Sequence, residues 1–260
     1  MRNRDFFLFS IAVVLSALGL MSCLNEPTIP KPSLPVAVLR FGNFASNIPA
    51  MNITVDGKAV ESTLTGLAYT GLSNYFELFS GTRTVVAINT ANGDTIFNKV
   101  LSISPNHIVT LLFTGFYSTT SAVNTFEQMN FDEGLIYVSN FPKAGTANLH
   151  FINLISTLKT DGGTDVAAPV IDFRDQAPGK DLLLAKDINP TADENVYPVG
   201  NVTPGFSKFV ATLGYRPATV YGSDTVTVQP DKNYFIFASG TATNIKVVIR
   251  SANPVPVTQR

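Results

Sequence analysis

Few side chains in this sequence of 260 residues could carry out acid–base or metal chemistry. The two histidines, His107 and His150, both lie in or beside predicted strands. There is no His-Glu-x-x-His motif, no histidine pair four residues apart, no Cys-x-x-Cys motif and no Gly-x-Ser-x-Gly motif. His107 follows a Pro-Asn turn, where we expect it to be exposed to solvent. We therefore predict that the protein is not an enzyme, with no catalytic residue, no bound metal and no cofactor.

Acidic residues provide the alternative to that prediction. Asp172, Asp175 and Asp181 lie close together in the sequence, and glycosidases use a pair of carboxylates. Arg174 and Lys180 lie among them, so solvated ion pairs are the simpler interpretation. A secreted or surface hydrolase, for example one acting on carbohydrate, stays open as the alternative function.

A second acidic stretch resembles part of a calcium loop. Asp161 and Asp165 flank two glycines and a threonine, but the remaining ligands of an EF-hand are missing. A flexible turn is the favoured interpretation, and calcium binding by Asp161 and Asp165 stays open.

Composition limits the classes of partner. Charged residues make up 14% of the chain, hydrophobic residues 45%, and the formal net charge is −1. A nucleic-acid partner is not predicted, because phosphate binding needs clustered Lys and Arg and no such cluster occurs. The apolar content is sufficient for one or two packed cores.

The amino terminus predicts where the protein is located. Arg2 and Arg4 precede an uncharged run over residues 6–21, which is shorter than the roughly 20 residues of a spanning helix and fits a secretory signal peptide. Its end, Leu20-Met21-Ser22-Cys23, resembles a bacterial lipobox. The resemblance implies a signal peptide over residues 1–22 and a diacylglycerol on Cys23, the only cysteine. An uncleaved signal anchor, with Cys23 playing no part, is the alternative.

A lipid on Cys23 would make the membrane a partner of the protein. Residues 23–35 are rich in proline and predict an extended tether. Leu24, rather than an aspartate, follows the cysteine. We therefore expect a lipid-anchored protein of the cell envelope, in the outer membrane, on either the periplasmic face or the cell surface.

The remaining chain has the pattern of β-strands. Short alternating or apolar runs are separated by Gly, Asn, Pro and Asp, and no stretch shows a helical apolar stripe over three turns. An Asn92-Gly93 pair predicts a hairpin turn. Strands are predicted over Val36–Phe41, Met51–Val55, Thr84–Ile88, Thr95–Ile103 and Ile108–Thr114.

Three segments recur in the same order along the chain. The matching pairs are residues 38–46 with 148–156, residues 80–89 with 204–213, and residues 100–115 with 225–240. The offset between the members of a pair grows from 110 to 125 along the chain. We therefore predict an all-β protein of two tandem Ig-like or Greek-key β-sandwiches, over residues 36–130 and 131–260. A loop insertion of about 15 residues is expected in the second copy, around residues 159–199.

The pattern is similar to the bacterial envelope family known as domain of unknown function 4397. Arg40, Ser46, the Val55-Asp56-Gly57 turn and Gly81 match that family's motifs. The position that is usually histidine in the family is Asn43 here, and Asn153 in the second copy, where the asparagine is expected to bond a turn. The resemblance implies secretion, frequent lipid anchoring and a β-sandwich, with no known activity.

Binding, adhesion or scaffolding is the function that we expect from such a protein. Loops at the ends of sandwiches are natural ligand surfaces, so a protein or glycan partner is expected there, or at an exposed apolar patch on an edge strand. Because Trp is absent, stacking on a sugar would fall to tyrosines, although most tyrosines of this kind are half-buried strand residues. The ligand-binding residues stay unassigned, and the candidates nearest to loops are Tyr69, Tyr75, Tyr197, Tyr215 and Tyr221.

Overall fold

A computed structural model describes residues 35–132, 142–160, 163–190, 196–214 and 216–252. None of these residues forms an α-helix, and one 3-10 turn covers Ser62–Leu64. No helix in the described part of the chain is long and apolar enough to cross a membrane. The predicted all-β class is therefore confirmed, whereas the signal peptide, the lipobox, Cys23 and most of the tether lie outside the described residues.

Nine strands form the first sandwich. They are β1 (Val36–Ala45), β2 (Ala50–Val55), β3 (Leu67–Ala68), β4 (Gly71–Leu72), β5 (Phe76–Phe79), β6 (Gly81–Asn89), β7 (Thr95–Ile103), β8 (Ile108–Gly115) and β9 (Glu127–Asp132). One sheet has the order β4-β1-β8-β9, with β5 also pairing with β1, and the other has the order β3-β2-β6-β7. All five predicted strands are present, and the predicted Asn-Gly turn joins β6 to β7.

Eight strands form the second sandwich. They are β10 (Ala147–Ser156), β11 (Ile171–Asp175), β12 (Leu182–Ile188), β13 (Tyr197–Val202), β14 (Gly205–Leu213), β15 (Arg216–Val228), β16 (Asn233–Thr241) and β17 (Asn244–Ala252). The sheet orders are β13-β10-β16-β17 and β12-β11-β14-β15. In both sandwiches the first strand pairs in parallel with the strand that follows the Pro turn, β1 with β8 and β10 with β16. The two tandem sandwiches predicted from the repeat are confirmed.

A buried asparagine on the first strand shows how closely the copies agree. Asn43 Nδ2 donates to the carbonyl groups of Ile48 and Leu67 at 3.0 and 3.1 Å, and its Oδ1 accepts from the Ala45 N–H at 3.3 Å. Asn153 makes the same three bonds in the second sandwich, at 3.1, 3.0 and 3.1 Å. The expected turn-bonding role of both asparagines is confirmed, and each ties the first strand of its copy to the opposite sheet.

A matched pair of glycines ends the strands that follow the Pro turns. Gly115 and Gly240 have φ values of +91° and +124°, a region that favours glycine. A Cβ atom would lie 2.0 Å from the Thr125 carbonyl oxygen at the first position and 2.0 Å from the Asn244 carbonyl oxygen at the second. A side chain is therefore excluded at both positions.

The extra length of the second copy lies largely between its first two strands. β2 begins five residues after β1 ends, from position 45 to 50, whereas β11 begins fifteen residues after β10 ends, from position 156 to 171. Ten of the roughly fifteen additional residues therefore belong to the segment 157–170.

The two sandwiches pack against each other through one sheet of each, which we call the inner sheets: β4-β1-β8-β9 with β5, and β13-β10-β16-β17. Their central strands are buried on both faces, because one face covers the core of its own sandwich and the other covers the partner sheet. The apolar cluster between the inner sheets consists of Phe44, Leu112, Met129, Ile152, Leu154, Phe235, Phe237 and Val248. The result is four layers of sheet with three apolar layers between them.

This interface has approximate two-fold symmetry. Thr114 Oγ1 donates to the Leu154 carbonyl at 3.1 Å, and Ser239 Oγ donates to the Phe44 carbonyl at 3.3 Å. Thr114 is equivalent to Ser239, and Phe44 to Leu154, so one bond is the counterpart of the other. Both copies use the same face, as the subunits of a two-fold dimer do.

Candidate ligand-binding site at the junction of the sandwiches

The histidines lie in different parts of the molecule. His150 is fully buried between the inner sheets, with its ring centroid 5.2 Å from that of Phe235 and its Nε2 3.2 Å from Asn233 Oδ1. Burial lowers the pKa of His150, and the contact with Asn233 acts in the opposite direction. His107 is half-buried rather than fully exposed as expected, because it lines a cleft at the edge of the first sandwich.

The three aspartates of the hydrolase alternative have separate local roles. Asp172 Oδ1 accepts from the Asp187 N–H at 2.8 Å, and Asp175 Oδ1 accepts from the N–H groups of Ala177 and Lys208 at 3.1 and 3.0 Å. Asp172 and Asp175 are only 5% and 6% exposed, so the expectation that the whole group is solvated is wrong for them. Their carboxylates are buried because they satisfy main-chain donors at turns and strand ends.

The predicted ion pairing in this group is confirmed. Asp181 accepts from Arg174 Nε at 2.8 Å, which lowers the pKa of Asp181 and raises that of Arg174. Lys180 Nζ lies 3.5 Å from Asp175 Oδ2.

No group of three or more His, Cys, Asp or Glu side chains suited to a metal ion occurs in the described ranges. Asp165 is exposed and accepts from the Thr160 N–H at 3.1 Å. Asp161 lies outside the described residues.

Two of the five candidate tyrosines lie at the junction of the sandwiches. Tyr69 and Tyr75 are both half-buried there. Tyr75 lines a cavity of about 280 Å³, and the Arg40 guanidinium lies 4.6 Å from the centroid of its ring. Tyr197 is 47% exposed on the edge strand β13, and Tyr221 packs against the core of the second sandwich, as the strand interpretation predicts. Tyr215 lies outside the described residues.

A connection between the two sheets of the first sandwich carries Tyr69 to the second sandwich. Strands β3 and β4 are joined by Tyr69 and Thr70, and Thr70 has a φ of +64°, which is unfavourable for a β-branched residue. Two short hydrogen bonds hold this conformation. The Thr70 N–H donates to the Asn43 carbonyl at 2.6 Å, and Arg250 Nη2 donates to the Thr70 carbonyl at 2.6 Å.

Tyr69 itself contacts β16 and β17. Its hydroxyl oxygen lies 3.2 Å from Ser239 Oγ, and Lys246 Nζ lies 5.2 Å from the centroid of its ring. Burial raises the pKa of Tyr69, with the hydrogen bond to Ser239 acting in the opposite direction. The ring is therefore fixed at its hydroxyl end, so it can offer a rigid surface.

Next to this ring is a cavity of about 430 Å³, which we call the junction cavity. The first sandwich contributes the loop between β1 and β2 and the connection between β3 and β4, and the second contributes the turn between β16 and β17. No Asp, Glu or His lines it among the described residues, and Lys246 is its one charged side chain there. Its polar and aromatic side chains are Ser46, Asn47, Tyr69, Thr241, Asn244 and Lys246.

Loop length explains why the cavity is open on this side of the interface. The loop 46–49 between β1 and β2 has four residues, and the turn 242–243 between β16 and β17 has two. At the pseudo-symmetric position the corresponding segments are 157–170 and 116–126, which are fourteen and eleven residues long.

The sequence predicted Tyr69 but not the polar residues around it. They come from opposite halves of the chain and meet only because the inner sheets pack together. The aligned repeat gives one indication of the cavity in the sequence, because the loops 46–49 and 242–243 are both shorter than their counterparts in the other copy.

Comparisons with known proteins reveal structural similarity at low sequence identity. No curated protein matches the chain. Among solved structures, a family 26 carbohydrate-binding module from Eubacterium rectale Amy13K in complex with maltoheptaose is 10% identical, covers 85% of this chain and 98% of its own, and has a TM-score of 0.22. Family 41 carbohydrate-binding modules from streptococcal virulence factors are matched at 12% identity, 81% and 96% coverage and a TM-score of 0.24.

A leucine-rich repeat protein from Bacteroides thetaiotaomicron is also similar, at 10% identity and a TM-score of 0.19. The match covers 82% of this chain and 27% of that protein. TM-scores this low support no conclusion about ligands.

The family comparison agrees with the sequence motifs. A family model described as "Domain of unknown function (DUF4397)" matches residues 37–159, which span the first sandwich and reach past β10. Residues 37–159 therefore match the DUF4397 family model, and the resemblance predicted from the sequence is confirmed for this part of the chain.

Proposed function

We propose that this chain is a non-catalytic binding protein of the cell envelope, anchored by a lipid on Cys23, which binds a glycan in the junction cavity. The observation that carries the proposal is the cavity itself. Both sandwiches contribute to it, and it combines one fixed aromatic ring with five polar side chains.

The chemistry of the cavity suits a ligand with many hydroxyl groups. Its volume of about 430 Å³ lies within the range of small-molecule sites, roughly 300–1,000 Å³. The ring of Tyr69 can contact the apolar C–H face of a sugar, while Ser46, Asn47 and Thr241 can exchange hydrogen bonds with its hydroxyl groups. Each of these three side chains also has a hydrogen-bond partner within the protein, at Gly115, Tyr117 and Thr243, so a glycan would use their remaining hydrogen-bonding capacity.

Three facts support a non-catalytic role. The junction cavity has no carboxylate or imidazole among the described residues that line it. The carboxylates of Asp172 and Asp175 bond main-chain N–H groups, and His150 is sealed between the inner sheets. Acid–base catalysis requires a titratable group within hydrogen-bond reach of the ligand.

The lipid anchor rests on the lipobox, and the start of the fold is compatible with it. The Pro35 carbonyl accepts hydrogen bonds from the N–H and the Oγ of Ser80, at 2.9 and 3.0 Å. The chain therefore enters the first sandwich directly after the proline-rich stretch.

Binding can be tested with the soluble chain from Asn25 to Arg260, which contains the compact unit Pro35–Arg260. It would be applied to a glycan array, and hydrogen exchange would then be measured with and without the glycan that binds best. We expect protection of residues 46–49 and 240–246, with the glycan recovered unchanged after prolonged incubation. Protection confined to another part of the protein would contradict the site, and cleavage of the glycan would contradict the non-catalytic role.

A further inference from the structure

In each sandwich, the last strand of one sheet lies opposite the last strand of the other sheet at one edge. The two sandwiches differ at this edge. In the second sandwich this edge is closed, because β15 contacts β17. A Cβ atom on Gly222 would lie 2.9 Å from the Ile245 carbonyl oxygen, and Asp224 Oδ2 accepts from the Ile249 N–H at 3.3 Å. In the first sandwich the equivalent strands, β7 and β9, enclose a cleft of about 320 Å³. We call it the edge cleft.

The residues of β9 explain why this edge stays open. Strand pairing makes Gln128 equivalent to Val247, and Asn130 equivalent to Ile249. Val247 and Ile249 are buried in the core of the second sandwich, whereas Gln128 and Asn130 bond to each other at 3.0 Å. Polar side chains thus replace apolar ones on the inward face of the edge strand.

The residues of β7 differ in the same way. Lys99 is equivalent to Asp224, the residue that holds β17 in the second sandwich. Lys99 is exposed, and its Nζ lies 5.5 Å from the centroid of the Phe97 ring. None of the ion pairs within the described ranges includes Lys99. Among the described residues, Lys99 is therefore a cation at this edge with no acidic partner.

The edge cleft has an apolar floor and a partly polar rim. Leu39, Leu101, Ile103 and Leu111 provide the apolar surface, and His107 and Asn130 lie at the rim. Within the described part of the chain β7 pairs only with β6, so its other edge presents unpaired main-chain groups beside this surface.

We propose that the edge cleft binds an extended segment of a partner protein, which adds to the free edge of β7 as a further strand. Alternate apolar side chains of that segment would enter the cleft, and an acidic side chain on the same face would pair with Lys99. Strand addition supplies main-chain hydrogen bonds for affinity and pockets for every second side chain. Charge complementarity at Lys99 favours an acidic segment over a neutral one.

An acyl chain fits this cleft less well. It would satisfy no main-chain group of β7, and it would remove water from Asn130 without replacing its hydrogen bonds. The proposal is independent of glycan binding, since the edge cleft and the junction cavity share no lining residue.

The test uses the chain from Asn25 to Arg260 and a fluorescent peptide, Thr-Val-Thr-Val-Thr-Asp-Thr, followed by fluorescence anisotropy. The control peptide has the same composition without the alternation. The key variant carries Lys99→Asp, Gln128→Val and Asn130→Ile, which place the residue types of the second copy in the first. We expect saturable binding of the alternating peptide only. Its affinity should fall at least tenfold in the triple variant and should also be lowered by Lys99→Glu.

A urea unfolding midpoint at or above that of the unchanged protein would show that the triple variant is folded. Lys246→Glu, in the junction cavity, should leave peptide binding unchanged. The proposal is overturned if the alternating peptide does not bind, if binding persists in the folded triple variant, or if only a fluorescent fatty acid binds. None of these outcomes affects the test of glycan binding.

Discussion

The hydroxyl oxygen of Tyr69 lies 3.2 Å from Ser239 Oγ, and this contact bonds the first sandwich to the second beside the junction cavity. Ser239 in turn donates to the carbonyl of Phe44, within the interface of the inner sheets. The cavity is therefore continuous with the interface. Any change that separates the sandwiches should also disrupt the ligand site.

Phe44→Ala should strongly destabilise the protein. The ring is fully buried, and its centroid lies 4.6 Å from that of Phe237 across the interface. Removing a buried Phe side chain costs about 3–5 kcal/mol, which urea unfolding would measure. Val100→Ala is the control, because Val100 is 64% exposed and should cost less than about 0.5 kcal/mol. A loss below about 1 kcal/mol for Phe44→Ala would mean that the inner sheets are not packed together in solution.

Asn43→Asp and Asn153→Asp should be similarly destabilising. Each change removes two hydrogen bonds to carbonyl groups and brings a carboxylate close to those oxygens. We expect a loss of about 3 kcal/mol or more at each position. Asn98→Asp, on the exposed face of β7, should have little effect. A large effect at one asparagine with none at the other would show that the two copies do not share these hydrogen bonds.

Stability should fall in mild acid because of His150. Burial lowers its pKa, so the unfolded chain takes up a proton at a higher pH than the folded protein does. The contribution of neutral His150 is fully present above its unfolded pKa of about 6.5 and decreases as the pH falls below that value, by at most about 1.4 kcal/mol per pH unit.

Urea unfolding between pH 7.5 and 5 would measure this slope. His150→Gln removes the titrating group and keeps a side chain that can bond Asn233, so its profile should be flatter over the same range. An unchanged slope in His150→Gln would show that His150 is not the cause.

Cys23→Ala should release the protein from the membrane without unfolding it. The lipid would be attached to this thiol, and the fold begins at Pro35, twelve residues later. Metabolic labelling with a fatty acid, followed by membrane fractionation, would measure both effects. Labelling that persists in Cys23→Ala would show that the lipid is attached elsewhere.

Local patterns predicted the strands well where one face is exposed. β7 was predicted with its observed bounds, because turn residues on both sides limit its β-type run. β1 extends to Ala45 rather than ending at Phe41, since Gly42 and Asn43 interrupt the apolar pattern but are buried between two sheets.

The packing of one sandwich on the other was not predicted. Residues such as Phe44 and Phe237 have the same character as residues of the separate cores, so the sequence alone does not assign them to the interface. The consecutive apolar pairs Phe151-Ile152 and Leu154-Ile155 are the indication that the sequence contains, because such a run is typical of a strand covered on both faces, and the structure buries all of residues 147–156. The junction cavity depends on that packing, and only its tyrosine could be foreseen.

Calorimetric titration of Tyr69→Ala tests the central claim most directly. The affinity of the soluble chain for its best glycan would be compared with those of Tyr69→Ala and of the control Tyr197→Ala, an exposed tyrosine distant from the cavity in the sheet order. Loss of a stacking ring should weaken binding at least tenfold, about 1.4 kcal/mol, in Tyr69→Ala alone. Equal affinities for the unchanged chain and a folded Tyr69→Ala variant would contradict a glycan site in the junction cavity.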